Sequence, residues 1–238
     1  MKCRWATLHW VRFAGIETPG GLDLSHQPEG AASWKIGPDG AVGPDGNRLP
    51  SEVWCAVGMF PERAHAERML EDPGACMPFL PRAREAWHAL LKPIAHRGEC
   101  NLLDRNAPGE LFVIEGHDPG GRLVVMTTAG FDPGPRFSLD RVIDFRRNVD
   151  AARERMAQAP GNIDIQVLSP HGRGDDGATT SLWRDDASMI AAAYRPGAHR
   201  ERVDRHMKEG MADRTSFTRF RAMRSSGTWR GRDPLVAT

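Results

Sequence analysis

The sequence predicts an α+β fold made of two successive units, each with the element order strand–helix–strand–strand–helix–strand. Segments of alternating apolar residues, amphipathic helical segments and a partial internal repeat lead to this prediction. The chain has 238 residues, with 40% hydrophobic and 26% charged residues. This length allows one large or two small domains, and the composition is that of an ordinary globular protein.

The first half begins with a predicted strand at 3–13, where polar and apolar residues alternate. Residues 14–50 are predicted as a loop that carries the turn-forming sequence GPDG twice, at 37–40 and 43–46. A loop of this length would be unusual in a compact domain, so we expect it to be functional if it is ordered. The remaining predictions of this half are a strand at 51–60, a helix at 61–72, and a helix end followed by a strand within 82–95.

The clearest helix of the chain is predicted in the second half, at 138–159. Ser138 can cap its first turn, and apolar residues recur along one face. The other predicted strands are 109–117, 121–131, 162–169, 178–186 and 216–223, and the other predicted helices are 186–195 and 197–212.

A weak internal repeat relates the two halves. A strand ending at Phe60 corresponds to one ending at Trp183, and Gly98 aligns with Gly227. The predicted order is that of two ferredoxin-like sheets, which can face each other as an α/β barrel with space for a ligand between sheet and helices. We therefore expect an N-terminal ferredoxin-like unit with the long Gly/Pro loop at 1–105, and a C-terminal one at 106–238.

Charge and apolar patterning exclude several function classes. The formal net charge is +1, which argues against nucleic acid or an anionic membrane as the main partner. No apolar run approaches the length of a transmembrane helix, and residues 1–13 lack the apolar core of a signal peptide, so we expect a cytoplasmic protein. The four cysteines are widely spaced, which predicts reduced, mostly structural thiols.

Two acidic stretches resemble sites but have simpler explanations. No nucleotide-binding, zinc-protease or serine-hydrolase motif is present. The stretch HGRGDDG at 171–177 lies between two predicted strands, and its glycines favour a hairpin loop. Asp185 and Asp186 are interpreted as capping the next helix rather than as an acid/base pair.

The remaining candidate is the helix at 197–210, in which His199 and His206 would lie on one face. His199 falls in the first turn, where the helix dipole disfavours imidazolium and keeps the ring in the neutral form that binds metals. Val203 shares this face, and Arg202 lies to one side, where it could meet ligand carboxylates. A solvated basic helix explains the same residues, and the two interpretations stay open on this evidence.

The C-terminal stretch contains SLWRDDASMIAAAY at 181–194, His199, EG at 209–210, RF at 219–220 and GTW at 227–229. In these motifs and their order it resembles the spheroidene monooxygenase family of carotenoid biosynthesis. LHWVRFAG at 8–15, WKIG at 34–37 and VWCAVGMFP at 53–61 agree more loosely. The sequence differs where an aromatic pair normally follows EG, because Met211 and Ala212 stand there.

The resemblance implies a haem-dependent monooxygenase with a dimeric-α/β-barrel-type fold. It implies haem b as cofactor, a carotenoid or another secondary metabolite as substrate, and O2 with an electron donor such as ferredoxin as partners. A homodimer is one candidate assembly. His199 matches the family's histidine and is the expected iron ligand, and Arg202, Val203, Arg219 and Phe220 are the other candidate cofactor-binding residues.

Two other functions remain open for the same sequence. One keeps the haem but performs a dehydration or N–O reaction without O2, since fold does not fix function. The other is a cofactor-free ferredoxin-like barrel that binds or oxidises a small molecule.

Overall fold

Eight antiparallel strands form one continuous sheet in the computed structural model, which describes residues 2–18, 21–99, 112–132, 134–135, 137–169, 176–194 and 212–236. The strands are β1 (Trp5–Glu17), β2 (Ser33–Pro38), β3 (Ser51–Phe60), β4 (Ala83–Gly98), β5 (Leu123–Gly130), β6 (Asn162–Leu168), β7 (Asp176–Trp183) and β8 (Arg214–Gly227). The helices are α1 (Arg63–Glu71), α2 (Leu139–Ala157) and α3 (Asp186–Tyr194), with short 3-10 turns at Pro73–Ala75 and Leu80–Arg82. None of these helices in the described ranges is both long and apolar enough to cross a membrane.

The two halves of the sheet have the same strand order. It runs β2-β3-β1-β4 in the first half and continues β8-β5-β7-β6 in the second. When the four strands of each half are numbered in chain order, the first strand lies between the third and the fourth in both halves. The pair β4–β8 joins the halves at the centre of the sheet.

Gly98 and Gly227 occupy equivalent positions at the ends of this central pair. Both have positive φ, at 88° and 78°. Each residue that follows donates a backbone hydrogen bond to the opposite strand, from Glu99 to the Thr215 carbonyl at 2.8 Å and from Thr228 to the Ala86 carbonyl at 2.9 Å. The alignment of Gly98 with Gly227 in the sequence therefore describes a real local correspondence.

The sheet curls strongly, so strands that are distant in its order meet across its concave face. Trp10 Nε1 of β1 donates to Thr180 Oγ1 of β7 at 3.2 Å, although three strands separate them. The two edge strands also meet. Asp39 directly follows β2, and its buried carboxylate accepts a hydrogen bond from the backbone N–H of Val167 in β6. The main core fills the concave face and includes Leu8, Trp10, Met59, Trp87, Val124, Leu182, Phe220 and Trp229.

The helices pack on the convex face of the sheet. In the first half, Ala66, Met69 and Leu70 of α1 join a core cluster with Trp34, Trp54 and Phe60. In the second half, Met189 of α3 packs on Leu123, Val125 and Trp183. Alternate residues of a strand face opposite sides, so each strand contributes to both a concave and a convex cluster.

Some predicted elements are confirmed. The third strand covers Ser51–Phe60 as predicted. Ser138 caps α2, because its Oγ accepts from the Arg141 backbone N–H at 3.2 Å. Asp185 caps α3 in the same way, through the Ser188 backbone N–H at 2.7 Å. Local capping chemistry was therefore readable from the sequence.

The segment 82–95 was predicted wrongly as part helix. It belongs to one long strand, Ala83–Gly98, with Trp87, Ala89 and Leu91 in the concave core and Leu90 in the convex one. Burial on both faces removes the alternation that normally indicates a strand.

Two loop and strand boundaries also differ from the prediction. The strand predicted at 109–117 is absent from its described part, 112–117, where Phe112 forms only an isolated bridge with Cys3. The loop predicted at 14–50 is shorter, because β1 continues to Glu17 and Ser33–Pro38 forms β2. Gly and Pro in this segment hid a short edge strand, where both residues are tolerated.

Candidate functional site

An uncovered strip crosses the convex face of the second half of the sheet. Thr127 of β5 pairs in register with Phe217 of β8 on one side and with Thr179 of β7 on the other. Thr127 is exposed, Thr179 is half-buried, and Phe217 is 38% exposed. We call these three residues the open face.

The open face lies between two covered regions. On one side, Leu123 and Val125 of β5 are buried beneath α3. On the other, Phe131 packs with Val142 of α2 and with Ala212. The described residues that precede and follow His199 in the sequence, α3 and Ala212, thus lie on opposite sides of the open face.

The equivalent position of the first half is filled. In the first half Phe60 pairs with Trp5, and in the second half Trp183 pairs with Leu123. Counting four residues on from Trp5 and from Leu123 makes His9 in β1 equivalent to Thr127 in β5. His9 is fully buried, its Nδ1 lies 2.9 Å from His88 Nδ1, and its ring packs edge-on against Trp34. Of the two related places, only the one in the second half offers room to a ligand among the described residues.

A cavity of about 60 Å³ adjoins the open face beneath α2. Thr127, Thr179 and Val167 line it from the sheet, and Phe145, Arg146 and Val149 line it from the helix. Arg48, from the loop between β2 and β3, completes this wall. The cavity thus lies between α2 and the sheet.

Arg48 and Arg146 are both buried at this cavity, at 7% and 5% exposed. Arg48 NH1 donates to Asp150 Oδ1 at 2.6 Å and to the Gly40 carbonyl at 2.7 Å. Arg146 NH1 donates to the Gly46 carbonyl. These contacts fasten the loop between β2 and β3 to α2.

A second ion pair in the same interface joins Asp39 to Arg153. Burial raises the pKa of Asp39 to about 6, and the charges of Arg153 and Arg48 oppose this rise. Asp39 and Arg153 do not line the cavity, so they form a structural contact beside it.

The predicted site residues fall in three places. His199, Arg202 and Val203 lie outside the described residues. Arg219 is on the same face of β8 as Phe217 and forms an ion pair with Asp186 of α3, with 3.7 Å between Arg219 NH1 and Asp186 Oδ1. It therefore borders the open face on the α3 side.

Phe220 faces the other way. It is 1% exposed in the concave core, and its ring meets Phe112 edge-on with the ring centroids 5.3 Å apart. The structure thus places Arg219 and Phe220 on opposite sides of the sheet.

Arg48, Arg146, Thr127 and Thr179 were not singled out from the sequence. Arg146 carried a signal, because it interrupts the apolar face of α2 between Val142 and Val149. Arg48 carried none, since its burial depends on a loop meeting a helix about 100 residues further along the chain.

The cysteines and other metal-binding residue types do not assemble a site in the described parts of the chain. There, no three His, Cys, Asp or Glu side chains are grouped to hold a metal ion. Cys3, Cys55 and Cys76 are buried. Burial raises the pKa of Cys55 to about 12 and also raises the pKa of Cys76, so both of these thiols are protonated at neutral pH.

The haem implied by the sequence resemblance needs one axial side chain and a flat space, rather than a cluster of ligands. The open face presents one aromatic ring and two hydroxyl groups on the exposed side of the sheet. These described side chains are compatible in chemistry with a flat ligand.

Comparisons with known proteins identify relatives of low sequence identity. The chain matches no family model. It is 23% identical over 189 residues to spheroidene monooxygenase from Rhodobacter capsulatus, covering 78% of this chain and 73% of that protein.

Solved structures with a similar fold include two of aldoxime dehydratase. One, in complex with butyraldoxime, has a TM-score of 0.54 and 11% identity, covering 92% of this chain and 80% of that one. The other has a TM-score of 0.50 and 11% identity, covering 98% and 83%. The chain thus has the mixed α/β fold with a curled antiparallel sheet that these structures share.

Proposed function

We propose that this protein is a haem-dependent oxidoreductase, a monooxygenase related to spheroidene monooxygenase, acting on a carotenoid or another secondary metabolite. The observation that carries the proposal is the open face, an exposed strip between α3 and Ala212, which are the described parts of the chain before and after His199. The sequence similarity to spheroidene monooxygenase across most of the chain supports it.

In this proposal the chain consists of two tandem ferredoxin-like units, 1–105 and 106–238, and only the second holds a cofactor. The matching strand orders of the two halves support this division. The buried His9–His88 pair occupies the corresponding place in the first half, which explains why one site and not two is available.

We assign His199 as the residue that would hold the haem iron, with Arg202 and Val203 beside it and Arg219 at the border of the site. A haem bound there supplies the redox chemistry needed to use O2. Neutral imidazole is the form of His199 that can ligate iron, and a hydrogen bond to its other nitrogen would fix the tautomer. Thr127 and Thr179 present hydroxyl groups, and Phe217 presents an apolar surface that excludes water.

Turnover measurements test the reaction. Protein loaded with haemin is incubated with an acyclic carotenoid, ferredoxin, a ferredoxin reductase with its reductant, and isotopically labelled O2. We expect labelled oxygen in the product and no product under strict anaerobiosis. Anaerobic conversion of an aldoxime to a nitrile, without carotenoid oxidation, would instead support the dehydration alternative that the fold similarity to aldoxime dehydratase keeps open.

A further inference from the structure

We infer that the cavity beneath α2 is a carboxylate-binding site formed by Arg48 and Arg146. This site holds either the carboxylate of a small free ligand or an acidic arm of a larger ligand that lies on the open face. The inference concerns two arginines that the proposed function does not use.

Charge and burial are the first step of the argument. Both arginines line the cavity, and no Asp or Glu is among the described residues that line it. Asp150 and Asp39 lie nearby, but they are engaged by Arg48 and Arg153 outside the cavity wall. An anion in the cavity therefore meets the Nε edge of Arg48, whose NH1 stays paired with Asp150, beside the guanidinium of Arg146, in a setting that screens charges weakly.

An unsatisfied donor is the second step. Arg48 Nε is buried and has no hydrogen-bond partner among the described residues, although NH1 of the same side chain has two. A buried unpaired donor of a charged group is costly, and its presence calls for a ligand or water. Guanidinium is the side chain that matches carboxylate geometry best.

Size and lining chemistry are the third step. The cavity volume of about 60 Å³ corresponds to about four water molecules, which suits a carboxylate with a short alkyl chain. Thr127, Thr179 and Ser169 add hydroxyl donors to the wall, while Phe145, Val149 and Val167 contact the alkyl part. Thr128 Oγ1 is already paired with Ser216 Oγ at 2.7 Å.

The first arm of the test uses sodium propionate against sodium chloride at equal ionic strength, with the thermal unfolding midpoint as readout. A ligand at concentration c that binds only the folded state stabilises it by RT ln(1 + c/Kd), so the midpoint rises with the logarithm of the ligand concentration once that concentration exceeds the Kd. We expect propionate to stabilise the wild-type protein more than chloride does. The Kd should rise about tenfold or more in Arg48→Gln, because a charged hydrogen bond is lost.

The second arm identifies the source of the carboxylate and rests on the proposed function. Haemin and haemin dimethyl ester, which lacks free carboxylates, are titrated into wild-type protein and Arg48→Gln. If the group is a tetrapyrrole propionate, Arg48→Gln weakens haemin about tenfold and leaves the ester unaffected. If it is a free ligand's carboxylate, only the propionate arm responds.

Two further variants separate binding from folding. Arg153 lies on α2, as Arg146 does, but it does not line the cavity. The variant Arg153→Gln breaks the ion pair with Asp39, and this variant should bind both probes as the wild type does. Val149→Phe keeps both arginines but fills the cavity from α2, and it should lose the propionate effect even if Arg48→Gln fails to fold.

The inference is overturned if propionate acts as chloride does on the wild type and Arg48→Gln binds haemin with wild-type affinity. It is also overturned if Val149→Phe retains the full propionate effect. A protein that binds no haemin at all contradicts the proposed function and leaves the propionate arm to decide the cavity.

Discussion

The buried pair His9–His88 is a pH-sensitive contact at the scale of single residues. Burial lowers the pKa of His88 from 6.5 to about 4 and holds the pKa of His9 well below its ordinary value, where protonated His88 would lower it further. Both rings are therefore neutral in the folded chain, and the Nδ1–Nδ1 hydrogen bond needs one donor and one acceptor. This pair ties β1 to β4 beneath α1.

We expect the His9–His88 pair to reduce the stability of the folded state as the pH falls from about 6.5 to 4. The unfolded chain takes up protons near pH 6.5 while these rings resist until about pH 4, so protons on the pair favour unfolding in this window. The loss is up to about 3 kcal/mol for His88, at about 1.4 kcal/mol per pKa unit. Asp39, whose pKa is raised to about 6, acts with the opposite sign below pH 6, so urea unfolding of the wild type and of a variant without the pair measures the effect as a difference.

The double variant His9→Leu/His88→Leu removes both polar partners and should lose less stability than the wild type as the pH falls from 6.5 to 4, because only the opposing contribution of Asp39 remains of the two. His117→Asn, at an exposed position, serves as the control and should keep the wild-type slope. A double variant with an unchanged profile between pH 6.5 and 4 would show that other groups govern the acid sensitivity.

Single residues were predictable from the sequence where their role is local. The caps Ser138 and Asp185 act on backbone groups three residues away, so their neighbours in the sequence are enough to recognise them. Arg48 acts on Asp150 and on a cavity made by distant strands, and its sequence neighbours predict only a turn. Burial of a charged residue is a tertiary property that local patterns do not encode.

At the scale of elements, the central pair β4–β8 depends on two glycines. A Cβ at Gly98 would lie 2.2 Å from the Thr215 carbonyl oxygen, and one at Gly227 would lie 2.1 Å from the Ala86 carbonyl oxygen. Both residues also have positive φ, which side chains disfavour. The chain therefore leaves each strand in a conformation that only glycine adopts without strain.

We expect Gly98→Ala and Gly227→Ala each to lower the free energy of unfolding by at least about 1–3 kcal/mol, since both strain and overlap must be relieved. Gly116→Ala, which meets nothing within 4 Å, is the matched control and should be near neutral. Thermal and urea unfolding provide the measurement. Stability in both glycine variants equal to that of the control would mean that the two turns relax freely and that the repeat has no structural role there.

Element types were predictable where one face of a segment is buried and the other is exposed to solvent. The helix α2 shows a clear apolar stripe and was predicted within two residues of its observed ends. The strand β4 is buried on both faces around Trp87, so its periodicity vanished and part of it was mistaken for helix. The short strand β2 was hidden by Gly37 and Pro38, which sit at its end.

At the scale of the whole molecule, the repeat accounts for both the fold and the location of the site. Equal strand orders in the two halves make His9 and Thr127 equivalent positions on the convex face. The first is sealed by His88 and Trp34, and the second stays open. The sequence suggested the repeat through Phe60, Trp183 and the two glycines, but the difference in covering depends on packing that no alignment reveals.

The most direct test of the central claim is a haemin titration followed by Soret absorbance in the wild type, His199→Ala and His206→Ala. The proposed site predicts stoichiometric binding with a histidine-ligated spectrum in the wild type and in His206→Ala, its matched control on the same predicted helix. His199→Ala should lose or shift the Soret band, and added imidazole should restore it. A wild-type protein that leaves the haemin spectrum unchanged, or a His199→Ala spectrum identical to the wild type, would contradict the assignment.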